Sequence, residues 1–440
     1  MTLQLDASQP EPNFAAFLAI DWADQRHVWM LQEAAGSQRE QGVLEQTPEA
    51  IEVWATALAA RFEGRPIALC LEQSRGALLY TLTKYQHWVI YPVHPTMLSK
   101  FREAMYPSGA KDDPLDADLL LDILVQHRKR LRRLNPDTVE TRTMQFLVED
   151  RRALVDEKTR VSNRLTDTLK LYFPQIVKWF DRVDCALVGD LLKRWPTLQE
   201  LQKQDPSTLR QFFQEHDNRW NERMEGRLKQ IREAMPATDD QAVIQSAVIK
   251  VSILVSLLEN LRDGIAKLDV EIERIAAAHP DYEVFASFPG AGKVLAPRLL
   301  VAHGTQRDRF ATVDELQSYS GIAPVVERSG KSMYVHVRYA CPQFVRQTFH
   351  EWAGHTIAFS EWARLYYEQQ RNKGKAHHVA VRSLAFKWQR ILFRCWKDGK
   401  PYEEQRYIAA LKKRGSPLGS LLGLDFQFEK VAGFSKLKAV

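Results

Sequence analysis

The chain has 440 residues, 45% of them hydrophobic and 26% charged, with a formal charge of +6 and a pI of about 9.0. It is longer than one ordinary domain, has ample core-forming residues, and has a composition normal for a soluble globular protein whose mild positive charge permits an acidic partner. Cys70, Cys185, Cys341 and Cys395 lie far apart without CxxC spacing, which argues against a zinc site or disulfide framework and for a reducing compartment.

The N-terminal stretch MTLQLDASQPEPNF lacks the basic-then-apolar build of a secretory leader, and no apolar run reads as a membrane span. A cytoplasmic protein is the expectation. Residues 14–127 then alternate strand and helix signals. FAAFLAID, PIALCLE and WVIYPV are short apolar runs of buried-strand type, and HVWMLQ is placed to pair with the first. PEAIEVWATALAARF has helical periodicity, and Pro114 in DDPLDADLLLDILVQ suits the first turn of a helix. This is an α/β layout.

After the basic run HRKRLRRL, residues 128–280 read as almost wholly helical. Leu254, Leu261, Leu268 and Ile275 recur every seven residues, with Leu258, Ile265 and Ile272 as the companion series. That seam favours a coiled coil or long helical hairpin. A weaker seam runs through Leu147, Leu154 and Val161, with Leu165 and Tyr172 beside it. At 1.5 Å per residue each helix would reach roughly 50 Å, suited to a spacer or dimerisation arm; a compact bundle packing on itself is the alternative. Residues 281–402 form a third, mostly helical unit, and the tail from 403 to 440 mixes Lys, Gly and Ser and reads as weakly structured. Trp352, Trp362, Tyr366, Tyr367 and Trp388 fall on helices in the third unit and are expected in its core.

Acids stand where strands should end and a helix should start. Asp21 follows FLAI, Glu72 follows IALCL, and Asp113 and Asp116 lie three apart on one helical face. Any one of them is commonplace, and the last pair also suits a helix N-terminus. As an ordered Asp-Glu-Asp-Asp set in an α/β frame they favour a site for a divalent cation, because hard ions prefer oxygen ligands and converging carboxylates repel without one. Asp24, Asp112, Asp118 and Asp122 are nearby decoys.

The segment RSGKS, with Gly330-Lys331-Ser332, looks like the end of a P-loop, but the glycine required five residues before Gly330 is Val325. On the residues alone, a polar turn at Ser329-Gly330 is the better reading. Arg128, Lys129, Arg130, Arg132 and Arg133 form a cation cluster suited either to phosphates or to a solvated helix face. PGAGK offers Gly290 and Gly292 either as a backbone phosphate cradle or as a plain helix-connecting turn.

In their order AIDWA, LCLEQSRGA and AKDDPLDADLL, the N-terminal motifs resemble the RuvC-like (RNase H-like) domain of DEDD-type insertion-sequence transposases, relatives of the Piv and MooV invertases understood as bridge-RNA-guided serine recombinases. FPGAGKVLAPRLLVAHG, RFATVDELQSYSGIAPVVERSGKS and RNKGKAHHVAVRSLAFKWQRILF are similar to the C-terminal blocks of the same family. VRYACPQFVRQ departs from the usual Lys-x-Gly-Asn type segment, and Lys111-Asp112 replaces the commoner Lys-Thr. The resemblance implies a RuvC-like domain over 14–127, a helical linker and coiled coil over 128–280, and a serine-bearing transposase domain over 281–402. It implies Mg²⁺ or Mn²⁺ on Asp21, Glu72, Asp113 and Asp116, and Ser329 as nucleophile, with Ser332 as fallback. Arg328, Lys331 and Arg338 would stabilise charge, while His336 is a weak candidate for activating the serine. DNA, a guide RNA and a homodimer or homotetramer would be the partners. A metal-only nuclease or junction resolvase, and a non-catalytic nucleic-acid scaffold, are the competing readings.

Overall fold

A five-stranded mixed sheet organises the first part of the chain. Its strands are β1 (Ala16–Asp21), β2 (Arg26–Glu33), β3 (Arg39–Glu45), β4 (Ile67–Leu71) and β5 (Trp88–Pro92), in the spatial order β3-β2-β1-β4-β5. β1 pairs antiparallel with β2 and parallel with β4, β2 pairs antiparallel with β3, and β4 pairs parallel with β5. Helices α1 (Pro48–Arg61) and α2 (Ala77–Leu82) cover one face; α3 (Pro95–Met105) and α4 (Asp113–His127) cover the other. Covered on both sides, β4 is buried at every residue, which is why IALCL reads as a continuous apolar run. The edge strand β3 was not legible as a strand: its only large apolar residues are Val43, which is exposed, and Leu44. The structure, a computed structural model, describes residues 12–72, 75–106, 112–216, 221–330 and 332–422, and divides into two units between Pro136 and Asp137.

The second unit is built on two long antiparallel helices, α5 (Val139–Tyr172) and, after the short helices α6 to α10 (Gln175–Trp179, Ala186–Arg194, Leu198–Gln202, Pro206–His216 and Asn221–Glu233), α11 (Gln241–Ala278). Their direction is fixed by cross-links: Thr141 bonds His279 at 3.0 Å, Arg151 pairs with Asp269, and Leu154 packs on Gly264. The expected heptad seam therefore closes within the chain. Each of the two alternatives is realised along part of its length. The distal portion, Val161 to Tyr172 with Ile244 to Leu258, is wrapped by α6 to α10 into a bundle core. Between, Leu154, Leu261, Ile265 and Leu268 are only half-buried, as in a bare two-helix arm. At the base, Met144, Val148, Ile272 and Ile275 enter the core of the helices that follow.

One expectation about α11 is corrected. By length and composition it is apolar enough to cross a membrane, because Gln241 to Leu258 carries only Lys250 as a charge. Ile244, Val251, Leu254, Val255 and Leu258 are nonetheless buried within the bundle.

The remaining elements are α12 (Tyr282–Ala286), α13 (Gly292–His303), α14 (Val313–Tyr319), the hairpin β6 (Val325–Ser329) and β7 (Ser332–His336), α15 (Gln343–Phe359), α16 (Glu361–Asn372), α17 (His377–Asp398), α18 (Glu404–Lys413) and α19 (Pro417–Leu421). Trp352, Trp362 and Trp388 are fully buried among α15, α16 and α17, as expected of core aromatics, and Tyr366 and Tyr367 pack against them half-buried. The start of the tail is not weakly structured. α18 and α19 are helical, and Leu411, Leu418 and Leu422 join the same core. Residues 423–440 lie outside the described residues.

Candidate active site

Strand register places the first two acids together. The β1–β4 pairing ends at Ile20 opposite Leu71, so Asp21 and Glu72 come next in step on neighbouring strands, about 4.8 Å apart along the backbone. Side chains alternate along a strand. Ala16, Leu18, Ile20, Ile67, Leu69 and Leu71 fill the core under α1 and α2, so Asp21 and Glu72 fall on the other face, with Ala19, Ala68 and Cys70 under α4. The direction of α4 then decides where the last two acids go. Arg128, just past its C-terminus, lies over the rings of Phe14 and Phe17 at the start of β1, at 5.2 and 5.0 Å. α4 thus runs antiparallel to β1, and its first turn, with Asp113 and Asp116, lies at the end of the sheet where β1 and β4 deliver Asp21 and Glu72. All four acids share one end and one face of the sheet.

They are not equivalent there. Asp113 is exposed, Asp21 and Glu72 are half-buried, and Asp116 is only 2% exposed. Arg102, in the last turn of α3, holds Asp116 from both sides: Nε donates to Oδ1 at 2.6 Å and Nη2 lies 2.6 Å from Oδ2. This bidentate, charge-assisted pair engages both carboxylate oxygens. Among the described residues no three Asp, Glu, His or Cys side chains come together as a metal-ion ligand set. The oxygen chemistry suits a hard cation, but Asp116 is paired with Arg102 and the other three acids do not group either, so the arrangement as it stands does not fit a bound metal. The decoys are accounted for: Asp118 and Asp122 both pair with Arg39 at 2.5 Å, Asp112 is the N-cap of α4, and Asp24 is exposed. Arg102 went unseen in the sequence because an ion pair between two helices, 14 residues apart, follows no local spacing rule.

Ser329 is the last residue of β6 and pairs with Ser332 across a two-residue connection, where Gly330 has φ 57°. Short hairpin loops require such left-handed residues, which glycine adopts without steric cost. Lys331 lies outside the described residues. A P-loop joins a strand to a helix, whereas Gly330 joins two strands, so the nucleotide reading fails on structure as it did on sequence. The hairpin is exposed from Val326 onward on both strands, which leaves the Ser329 hydroxyl open to a large substrate. Ser329, Glu327 and Val325 share a face with Ser332, Tyr334 and His336; Arg328 and Met333 lie on the opposite face with Val326 and Val335. His336 pairs with Glu327 at 3.6 Å and is four residues beyond Ser332, about 13 Å along the strand. That distance removes His336 as the base acting on Ser329 within this hairpin. Arg338 braces the hairpin base through Nε to the Ala323 carbonyl at 3.3 Å.

The basic cluster sits at the other end of α4 from the acids, about 20 Å away. Lys129, Arg130, Arg132 and Arg133 are exposed, while Arg128 is half-buried over its two rings. Gly290 and Gly292, at φ 69° and 52°, form the turn between α12 and α13. A Cβ at Gly290 would lie 3.1 Å from the Cβ of His355, so close packing against α15 already requires a glycine there; Gly292 meets nothing within 4 Å.

Residues 18–174 match the IS110 DEDD family profile described as a transposase, and residues 282–368 match the profile described as transposase of the IS116/IS110/IS902 family. A Streptomyces coelicolor protein whose name proposes it as the mini-circle transposase for IS117 is 26% identical over 419 residues, covering 91% of this chain and 98% of that protein. The uncharacterized 43.6 kDa protein of insertion element IS110, also from Streptomyces coelicolor, is 28% identical over 354 residues, covering 79% and 85%. The uncharacterized 44.8 kDa protein of insertion element IS116 from Streptomyces clavuligerus is 25% identical over 300 residues, covering 67% and 73%. With a DEDD profile on the acid-bearing domain and a second transposase profile on the serine-bearing one, the chain belongs to the IS110 family of transposases.

Proposed function

We propose that this transposase is an RNA-guided recombinase that cuts and rejoins DNA through Ser329. In the cleavage step the Ser329 hydroxyl loses its proton to an acceptor and its oxygen attacks a backbone phosphorus. The phosphorus–O3′ bond breaks, leaving a phosphoserine-linked strand and, after O3′ takes up a proton, a free 3′ hydroxyl. Rejoining is the reverse attack by a 3′ hydroxyl of another strand, which regenerates the serine. The observation that carries this reading is the position of Ser329 at the open tip of the hairpin, with Gly330 lowering the steric barrier to a phosphodiester. Arg328, although exposed beside it, lies on the opposite face of the hairpin, so charge developing at the phosphate is to be balanced by a group outside this strand pair.

Divalent metal use, as Mg²⁺ or Mn²⁺, goes with the DEDD carboxylates at the end of the RuvC-like sheet. The strand order and mixed pairing support that assignment of fold. DNA is the expected substrate of a transposase; guidance by a non-coding bridge RNA rests on the family resemblance alone. For assembly, a homodimer or homotetramer would have to use something other than the heptad seam, which α5 occupies. Ile249, Ile253 and Leu257, at spacing i, i+4, i+8 on α11, are 64%, 57% and 42% exposed and form a stripe suited to a second copy. A dimer joined there would allow a site shared between protomers.

Two experiments test the reading. Substituting Ser329→Ala should abolish strand cleavage and adduct formation; full-rate cleavage without any adduct would favour a metal-only nuclease. Sequencing of nucleic acid that co-purifies with the protein should return one specific RNA, and its absence would remove the guidance claim.

A further inference from the structure

Cations and acids nearly balance over the whole chain, 61 Lys and Arg against 55 Asp and Glu, but they do not balance everywhere along it. Between Glu368 and Asp398, where α16 turns into α17, Lys and Arg occur eight times and Asp or Glu not at all. A face that is merely solvated usually interleaves both signs. The turn itself is firmly built. Lys373, Gly374 and Lys375 donate their backbone N–H groups to Gln369, Arg371 and Gln370, and Arg371 Nη1 bonds the Lys375 carbonyl at 2.8 Å. The Lys375 ammonium reaches Gln370 Oε1 at 2.7 Å and Ser383 Oγ at 3.5 Å. Every one of these acceptors is neutral, so the geometry is fixed while the positive charge stays uncompensated.

The same charge continues onto α15. His378, in the first turn of α17, meets His350 of α15 with 3.2 Å between Nδ1 and Nε2, and Arg382 lies one turn further along α17. His350 is pushed down to about 4 by burial and by the neighbouring His378, Arg382 and His377, as a field of positive sign requires. Arg346, one turn before His350 on the same side of α15, bonds the Arg338 carbonyl at 3.2 Å. Arg338 in turn braces the base of the hairpin that carries Ser329. Glu351, the residue after His350, is already held by Arg152 and Arg298, and Glu368 lies outside the turn on α16. Among the described residues no carboxylate pairs with Arg346, Arg371, Lys373, Lys375 or Arg382.

We propose that the corner between α16 and α17, with Arg371, Lys373, Lys375 and Arg382, docks the phosphate backbone of duplex DNA, and that Arg346 continues this surface to the base of the Ser329 hairpin. A polyanion supplies in one partner the counter-charge that the fold withholds. It is held without regard to sequence, because lysine and arginine on such a surface meet phosphate oxygens and not base edges. DNA is chosen over RNA because the surface lies in the same unit as Ser329, so a duplex docked there has its backbone beside the hairpin. The proposal rests on the reading of the chain as acting on DNA and holds whether or not Ser329 is the nucleophile.

The test is fluorescence anisotropy of the full-length protein on a labelled DNA duplex of arbitrary sequence, titrated at several salt concentrations, with a double-stranded RNA of the same length alongside. Lys373→Gln and Arg382→Gln should each weaken DNA binding about fivefold at about 0.1 M salt and reduce the slope of log affinity against log salt by about 1. Lys250→Gln removes the same charge from an exposed position on α11 and should leave both quantities at the wild-type value. Lys373 is exposed and its side chain makes no bond among the described residues, so Lys373→Gln keeps the fold and decides the matter if Arg382→Gln does not fold. Wild-type affinity and slope in the folded variants, with wild type itself binding DNA, would overturn the docking surface and leave the DNA reading standing. Weakened binding of the RNA duplex with unchanged binding of DNA would overturn the choice of DNA. A wild-type protein that binds no DNA duplex would overturn both the surface and the reading beneath it.

Discussion

Asp21 and Glu72 follow in step because the parallel strands β1 and β4 pair in register as far as Ile20 and Leu71, so neither carboxylate depends on the other for its position. Asp21→Asn should therefore leave the melting temperature within a few degrees of wild type while strand cleavage falls on the order of 10³-fold, the scale seen when one electrostatic group is removed from a reacting centre. A circular-dichroism melt beside a cleavage assay reads both. The glycines of the α12–α13 turn separate in the same way. Gly290→Ala forces a Cβ into His355 at a left-handed φ and should cost about 1–3 kcal/mol of stability. Gly292→Ala faces open space and carries only the backbone term, about 1 kcal/mol. Denaturant titration of the two variants distinguishes a packing glycine from a free one. At this scale the four acids were legible, since strand ends and a helix start are visible as patterns. Arg102 was not, because a contact between α3 and α4 exists only once both have folded.

The long helices show how a correct pattern can have an unexpected partner. The two seven-residue series predict burial, and Leu254, Leu258, Ile272 and Ile275 are buried while Leu261, Ile265 and Leu268 are half-buried, all within the same chain, against α5, the short helices and the C-terminal core. Periodicity reports that a face is covered and does not say by what. Strand β3 and helix α18 escaped for the opposite reason. β3 has few apolar residues and is recruited through backbone bonds to β2, while α18 is a short helix in a Lys-rich stretch held by Leu411 with Tyr407 and Ile408. One polar node ties the arm together at this level. Lys158 of α5 and Arg182 hold the Asp184 side chain at 3.1 and 2.9 Å, and Arg262 of α11 donates to its carbonyl at 3.2 Å. Burial works against ionisation of Asp184, but hydrogen bonds from Arg182 and Lys158 outweigh it and hold the carboxyl at about 2. A lowered carboxylate pKa contributes stability that is complete above about pH 4 and lost as pH falls through about 2, here about 2 kcal/mol. Asp184→Asn should thus be destabilised at neutral pH, with its deficit against wild type shrinking between pH 4 and 2 in thermal melts. The exposed stripe on α11 gives a further expectation. Ile253→Lys should shift the protein toward monomer in analytical ultracentrifugation while leaving the far-ultraviolet spectrum unchanged; an unaltered oligomer would exclude this face as the contact.

Across the whole molecule, the acids belong to one unit and Ser329 to the other, each carried by an element that makes sense locally: the ends of two interior strands under α4, and a hairpin tip. One transposase profile covers the acids and runs on into α5 of the second unit, and the other covers Ser329. The serine was recognisable only by resemblance, because a Ser-Gly turn is common and nothing in RSGKS announces two exposed strands around it. With His336 at the far end of the hairpin, the proton acceptor for Ser329 must come from outside the strand pair or from the substrate itself. The central claim is that this hydroxyl forms the covalent link to DNA. Its most direct test is to trap the cleaved strand on a nicked suicide substrate and map the attached peptide by mass spectrometry. The account predicts a nucleotide-bearing phosphoserine at Ser329, absent in Ser329→Ala. An adduct on Ser332, or undiminished cleavage by Ser329→Ala with no adduct at all, would contradict it.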